Sequence, residues 1–388
     1  MNPLARHYTR FRVAERVLLT GHSHQAWPDV GFEAQQRAWL DAAALVDDKW
    51  PAAEVQAAAV RRGFARLLGD GAEHLALGQN THELVTHWLS ALPLDARRRI
   101  VTTDAEFHSL RRQLDRLAED GRLRIVRVPA RPVDTLAARL AAAVDGETAC
   151  VAVSSVLYET AEIVPGLGTV AGACARVGAE LLVDAYHHLN VVPFDLHAMG
   201  LADAFVTGGG YKYCQLGEGN AFLRVPPDRR MRPVLTGWFA EFGHLEAHAA
   251  GEVHYGLGAA AFAGATYDPT SRYRGAASFA FHERQELTPD RLREISRRQV
   301  ARLIARIEAL DLDARLVSIE PIPAERRAGF VAVRTPQAAA IARALRERRV
   351  WTDARGDILR LGPAPYLDDA QIDDAVAALG EVVRSLRP

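Results

Sequence analysis

The sequence predicts an α/β fold, in which a large domain built on a doubly wound, mostly parallel sheet is followed by a smaller α+β domain. Three observations carry this. Short apolar runs recur between residues 99 and 225 (IVTT, RIVRV, ACVAV, AELLVD, AFVT, AFLRV), several of them separated by helical stretches such as SLRRQLDRLAED and VDTLAARLAAAV. Strands alternating with helices build parallel sheets. The run AELLVD is apolar without alternation, as a strand covered on both faces must be. Beyond Pro289 the pattern changes to one long helix and then shorter strand and helix segments. Residues 1–20 read as an N-terminal arm, 21–255 as the large domain and 256–388 as the small one.

Taken in order, the arm leads into Val17-Leu18-Leu19-Thr20 and the polar turn GHSHQAWPD. A helix from about Val30 and an alanine-rich amphipathic one from Pro51 to Leu68 follow. A short strand, Leu75 to Leu77, breaks at Gly78 into a helix at Asn80, with Glu83 at capping-box spacing. The six runs above are the remaining strands of the large domain. The C-terminal unit reads as a helix from Pro289 to Leu310, a strand at Ala328 to Arg334, a helix at Pro336 to Arg348, a strand at Ile358 to Leu361 and a last helix from Asp369.

Composition narrows the function. Lys plus Arg number 47 against 48 for Asp plus Glu, a balance that gives no reason to expect nucleic acid as a partner. Three scattered cysteines, Cys150, Cys174 and Cys214, suit neither a disulfide framework nor a zinc cluster and point to a reducing compartment. No stretch approaches 18 consecutive apolar residues and the N-terminus lacks a secretory pattern. A cytoplasmic protein without membrane or metal is expected.

The chemistry concentrates between Val183 and Gly219. Asp184 ends a buried strand, where open α/β sheets place their ligand chemistry. Lys212 follows Gly208-Gly209-Gly210 and stands between Tyr211 and Tyr213. Glycines there let the backbone approach a ligand and take φ values other residues refuse. An acid at one strand end and a lysine after a neighbouring one is what a pyridoxal phosphate (PLP) site needs. The lysine holds the cofactor as a Schiff base, and the acid pairs with the protonated pyridine nitrogen. The helix start near Asn80 offers free N–H groups and a positive dipole end to a phosphate, although an ordinary cap explains the same residues.

The stretch Asp184, His187, Val192-Pro193-Phe194-Asp195-Leu196, Tyr211-Lys212-Tyr213 resembles the class V, fold type I PLP enzymes, and among them kynureninase, whose pattern runs D, two residues, H, VPLDL, SYKYLNGGPG. The resemblance implies the PLP-dependent transferase fold and a homodimer whose site lies at the subunit boundary. It implies Lys212, Asp184 and Tyr211 as catalytic residues. Thr81 and His82 (the latter through its backbone) would hold the phosphate, and Phe107 would stack on the pyridine ring, with His108 as second choice and a plain core role for Phe107 as the alternative. His187 would orient Asp184 or bond the cofactor oxygen, and Trp238 matches the family's GW. Arg360, in ILRLG, is expected to take the substrate carboxylate, with Arg355 behind it and Ser23 on the N-terminal turn also facing substrate. Gly275-Ala276 stand where a GT pair reaches the neighbouring subunit.

The reaction so implied acts on a small amino acid by hydrolysis of its Cβ–Cγ bond, as kynurenine gives anthranilate and alanine. Transamination or β-elimination on another amino acid, and a non-catalytic binding protein with the same fold, are the rivals. Three departures from the kynureninase pattern stand out: HSHQ for NSLG at residues 22–25, Glu159 for the arginine of a YRTG turn, and CQLGEG for LNGGPG after the lysine tyrosines.

Overall fold

The computed structural model describes residues 2–247 and 251–386. Its elements are β1 (Val17–Leu18), α1 (Val30–Leu45), α2 (Trp50–Leu68), β2 (Leu75–Gly78), α3 (Thr81–Ser90), β3 (Arg99–Thr103), α4 (His108–Glu119), β4 (Arg124–Val128), α5 (Leu136–Ala143), β5 (Thr148–Ser154), α6 (Leu167–Val177), β6 (Glu180–Asp184), β7 (Phe205–Gly209) and β8 (Ala221–Arg224). They continue as α7 (Thr270–Arg284), α8 (Pro289–Glu308), β9 (Ser318–Ile319), β10 (Val331–Arg334), α9 (Ala338–Glu347), β11 (Val350–Trp351), β12 (Asp353–Arg355), β13 (Ile358–Leu361) and α10 (Asp369–Ser385).

Seven strands form the main sheet in the order β2-β8-β7-β6-β5-β3-β4. All neighbours are parallel except those of β8, which runs antiparallel to both β2 and β7. Every residue of β5 is buried, as are all of β7 and β8, which is why these strands read as unbroken apolar runs. Helices cover both faces. One core layer holds Val151, Val153 and Val183 against Phe64 and Leu140; the other holds Ile100, Ala152 and Leu182 against Trp88 and Leu114.

The smaller unit is a four-stranded antiparallel sheet, β12-β13-β10-β9, packed against α8, α9 and α10. Asp368 caps α10 by accepting the Gln371 N–H at 2.9 Å, and the Gln371 amide oxygen accepts the Asp368 N–H at 3.1 Å, a reciprocal capping box.

Four expectations are corrected here. The arm is part of the small unit: β1 pairs in parallel with β11, Thr20 bridges Gly362, and Tyr8, wholly buried, packs at a tilt against Tyr366 and donates from its phenol to the Gln215 amide oxygen at 2.5 Å. The small unit does not begin at residue 256, because α7 packs on α1 and α2 and carries Ala276 and Phe279 into the large core. This helix escapes sequence reading because it is buried nearly all round, so no polar face gives it a 3.6-residue period. Gly275 and Ala276 therefore face this chain's own interior and cannot reach a neighbour. Finally, none of Gly208, Gly209 and Gly210 has a positive φ. They are small because a Cβ on Gly209 would meet the Tyr186 phenol at 2.4 Å and one on Gly210 would meet Leu216 at 2.6 Å.

Burial of polar groups sets a pH limit. His188, His282 and His22 are fully enclosed, and burial pushes each down to about 4. The unfolded chain binds these protons near pH 6.5, so between about 6.5 and 4 it holds more protons than the native state. Stability should fall as pH falls through that window, by at most roughly 3 kcal/mol per histidine. A urea midpoint that is flat from pH 7.5 to 5 would contradict this.

Candidate active site

At the carboxyl ends of the central strands lies a cleft of about 240 Å³. Lys212 enters it from the loop after β7 and is 4 % exposed. Its Nζ donates to the Tyr211 phenolic oxygen at 2.9 Å and sits 4.1 Å from the Tyr186 ring centroid and 5.3 Å from that of Phe107. Burial among rings disfavours the ammonium and lowers the pKa of Lys212, while Asp184 works in the other direction. The chain has 47 basic residues but only two lysines, Lys49 and Lys212. Arginine cannot shed its proton in a protein, so the amine is kept where a free base is of use.

Asp184 ends β6 beside Ser154 of β5 and Thr207 of β7. Its carboxylate accepts the Tyr186 N–H at 2.8 Å, and burial raises its pKa against the pull of that N–H and of Lys212. His187 is not the group that orients it. His187 lines the cleft 6.1 Å from the Phe107 ring, and burial keeps it neutral with help from the charges of Lys212 and Arg360.

On the opposite wall stand Thr81 and His82 at the start of α3. Asn80 caps this helix by accepting the Glu83 N–H at 2.9 Å, and Glu83 takes the Gln79 N–H at 2.9 Å. The Gln79 amide nitrogen, buried at the cleft wall, has no hydrogen-bond partner. Unspent donors at a helix N-terminus are an anion site.

The structure thus brings Asp184, Lys212, Tyr211, Phe107, Thr81, His82 and His187 to one cleft and leaves three expected residues out. Trp238 is 47 % exposed and packs on Phe239 and Phe242, away from the cleft. The Ser23 hydroxyl is spent on the Thr20 carbonyl at 3.2 Å. Arg360, 2 % exposed, is already paired. Its Nε donates to Asp353 Oδ1 at 2.9 Å, a second nitrogen donates to Asp353 Oδ2, and a third donates to the Tyr158 carbonyl at 2.7 Å. Three of its five N–H donors are engaged by protein groups and its charge is already answered by Asp353, so it does not stand open for a substrate carboxylate. His22 Nε2 lies 2.8 Å from the same Asp353 Oδ1.

Sequence reading also passes over Glu106 and Asp353. Glu106 accepts the Thr103 and Ser154 hydroxyls, both at 2.6 Å, and burial pushes it up to about 7, with Asp184 adding to the rise. Its position immediately before Phe107 is the one hint the sequence offers. Asp353 faces Arg360 across the β12–β13 hairpin, a pairing legible once Gly356 is taken as its turn.

An acid and an amine at strand ends, a ring to cover a planar group and an open helix N-terminus define the site of a fold type I PLP-dependent protein. PLP fits these residues: unspent donors for its phosphate, and a half-buried carboxylate for its ring nitrogen. Among the described residues no three or more His, Cys, Asp or Glu side chains group as a metal site, and no helix is long and apolar enough to cross a membrane.

Comparison with known proteins agrees. The family model of the kynureninase C-terminal domain matches residues 292–379. Kynureninase of Deinococcus radiodurans is 29% identical over 360 residues, 90% of this chain and 83% of that protein. Isopenicillin N epimerase of Streptomyces clavuligerus is 30% identical over 187 residues, so that the match spans 47% of this chain and just under half, 46%, of the epimerase. A solved mutant of C-DES with glycine covalently linked to its PLP cofactor superposes with a TM-score of 0.85 at 19% identity, covering 98% of this chain and 99% of that one, a likeness of fold. These likenesses support a kynureninase-like class V protein of the PLP-dependent fold.

The Arg360 pairing yields a test. Arg360→Met leaves Asp353 beside His22 without its guanidinium, and breaking a largely buried pair costs about 3 kcal/mol. The denaturation midpoint should fall accordingly. An unchanged midpoint would mean that the pair does not hold the hairpin.

Proposed function

We propose that this protein hydrolyses the Cβ–Cγ bond of kynurenine or a closely similar 2-amino-4-oxo acid, releasing an anthranilate-type acid and alanine. The observation that carries the reading is the buried amine of Lys212 bonded to the Tyr211 phenol above Asp184. The matches to the kynureninase C-terminal domain and to the Deinococcus enzyme support the choice of reaction.

Thr81, the free N–H groups of α3 and the Gln79 amide hold the cofactor phosphate. Phe107 covers the ring, and Asp184 keeps its nitrogen protonated. PLP, when bound, supplies an electron sink for charge developing on the substrate carbons. Lys212, its ammonium form disfavoured by burial, takes the proton from the substrate Cα and returns it to that carbon as alanine is released. The Tyr211 phenol, which burial pushes up to about 12, stays protonated at neutral pH. It donates to the γ-carbonyl oxygen as water adds. Arg355 touches Asp353 only loosely, 3.7 Å from Oδ2, keeps its side chain 47 % exposed and lies close enough to depress the lysine's pKa. With Arg360 spent, it is the cation that meets the substrate carboxylate.

A second reading is β-elimination or transamination of another amino acid. It is favoured by Glu159, which accepts the Tyr158 hydroxyl at 2.8 Å where kynureninase has an arginine. Both readings place the protein in the cytoplasm as a homodimer. Trp238, Phe242, Phe239, Tyr267 and Trp50 form a run of ring contacts on the surface, and Trp238 and Phe242 are 47 % and 60 % exposed. Such a patch marks an interface.

Incubation with kynurenine should yield anthranilate and alanine in equal amounts by mass spectrometry. Pyruvate and ammonia, or an oxo acid, would support the second reading instead. Asp184→Asn should fold and bind PLP but lose at least about a hundredfold in kcat, the scale of an electrostatic contact made at the reacting group; near-normal turnover would remove Asp184 from the mechanism. Light scattering should return twice the chain mass, whereas a monomer would leave the ring patch unexplained.

A further inference from the structure

Two segments that depart from the kynureninase pattern meet at the mouth of the cleft. His24, from the HSHQ turn, places Nδ1 3.1 Å from Oε1 of Glu218, from the CQLGEG loop. Its ring stacks on Tyr211 with centroids 5.0 Å apart and planes 18° from parallel. Glu218 lines the same cleft as Lys212.

The loop carrying Glu218 is pinned from behind. Gly217 and Gly219 take φ values of 67° and 86° on either side of it, which an L side chain rarely adopts. Arg274 Nε donates to the Leu216 carbonyl at 2.7 Å and another of its nitrogens donates to the Glu218 carbonyl. Arg272 donates to the Gly219 carbonyl at 2.9 Å. The backbone under the carboxylate is therefore fixed by α7, and the side chain is tethered by His24. That hydrogen bond holds the Glu218 carboxyl below its ordinary range, so it is ionised at neutral pH.

Two arginines lie near this charge: Arg274, which helps hold the carboxyl ionised but directs its donors to the Leu216 and Glu218 carbonyls, and Arg355, which is shared between Asp353 and the substrate carboxylate. Apart from histidines, Lys212 is the only basic side chain lining the cleft among the described residues. Lys212 is hydrogen-bonded to Tyr211, and Arg360 is paired with Asp353. A carboxylate held at the entrance of an amino-acid site, with His24 on one of its oxygens, is a receptor for a donor on the ligand.

We infer that Glu218, held by His24, is a specificity-determining residue that selects amino acids whose side chain carries an amine. The inference rests on the reading of the cleft as an amino-acid site. The amine is either an aryl amine, as in kynurenine, or an alkyl ammonium, and the two are separated by experiment.

The holoenzyme is titrated with two matched pairs, kynurenine against its analogue lacking the ring amine, and ornithine against norvaline. Binding is read by calorimetry and by the visible absorbance of the bound cofactor. In at least one pair the amine-bearing member should bind about tenfold more tightly, the range of one hydrogen bond to a charged group. The pair that discriminates identifies the kind of amine. Glu218→Met, which keeps the length and removes the acceptor, should bring the ratio to within about twofold with the melting temperature unchanged. Equal binding within both pairs, or a preference that survives Glu218→Met, overturns the inference. A preference that holds while kynurenine is not cleaved removes the hydrolase reading alone. Cleavage of kynurenine without preference removes this inference alone.

Discussion

The site depends on one uncommon arrangement: an amine and a carboxylate, Lys212 and Asp184, at the ends of adjacent strands, the amine buried and the carboxylate half-buried on the cleft wall. Burial pushes both toward their neutral forms, resisted at Asp184 by the Tyr186 N–H and then Lys212, and at Lys212 by Asp184 and then Asp353. A pair of this kind is poor evidence of stability. It is a ready receptor for a group that brings its own charge, as a pyridinium nitrogen and a phosphate do. The rest of the cleft follows from that need. Rings of Tyr186, Tyr211 and Phe107 keep the amine dry, and donors at the start of α3 are left unspent for the anion.

Around this pair the remaining charge is tied off. Asp353 takes up Arg360 and lies against His22. Glu106 is held by two hydroxyls and sits near neutrality. Two carboxyl groups therefore lie beneath the site, Asp184 with Lys212 as its cation and Glu106 with none, so a negative potential favours a protonated ring nitrogen above them. The N-terminal arm completes the frame. Tyr8 reaches from the small unit to Gln215 on the lysine loop, so the loop is braced by both parts of the chain.

Most of the fold was legible because it rests on local signals. The apolar runs of β5 and β6, the Asn80 cap and the lysine between two tyrosines each announce themselves within a few residues. What was not legible depends on contacts distant in sequence. Helix α7 is buried on all sides and so carries no period. The arm looks detachable until β1 meets β11, more than 300 residues later in the chain. Arg360 was read as open because an arginine in an apolar strand needs a carboxylate, and the sequence does not say whether protein or substrate provides it. Asp353 lies seven residues away, across a hairpin whose register only the fold reveals. Trp238 was carried over by motif alone, and motif does not fix which surface a residue faces. The pairing of His24 with Glu218 joins residues 194 positions apart.

The direct test is where PLP attaches. With only Lys49 and Lys212 in the chain, borohydride reduction of the PLP-loaded protein followed by peptide mass mapping has two possible lysine addresses. Lys49 lies on an exposed turn beside Trp50; Lys212 lies in the cleft. The cofactor mass should appear on the peptide containing Lys212 and be lost in Lys212→Ala. Its appearance on the Lys49 peptide alone, or on neither, would contradict the assignment of this cleft as a PLP site.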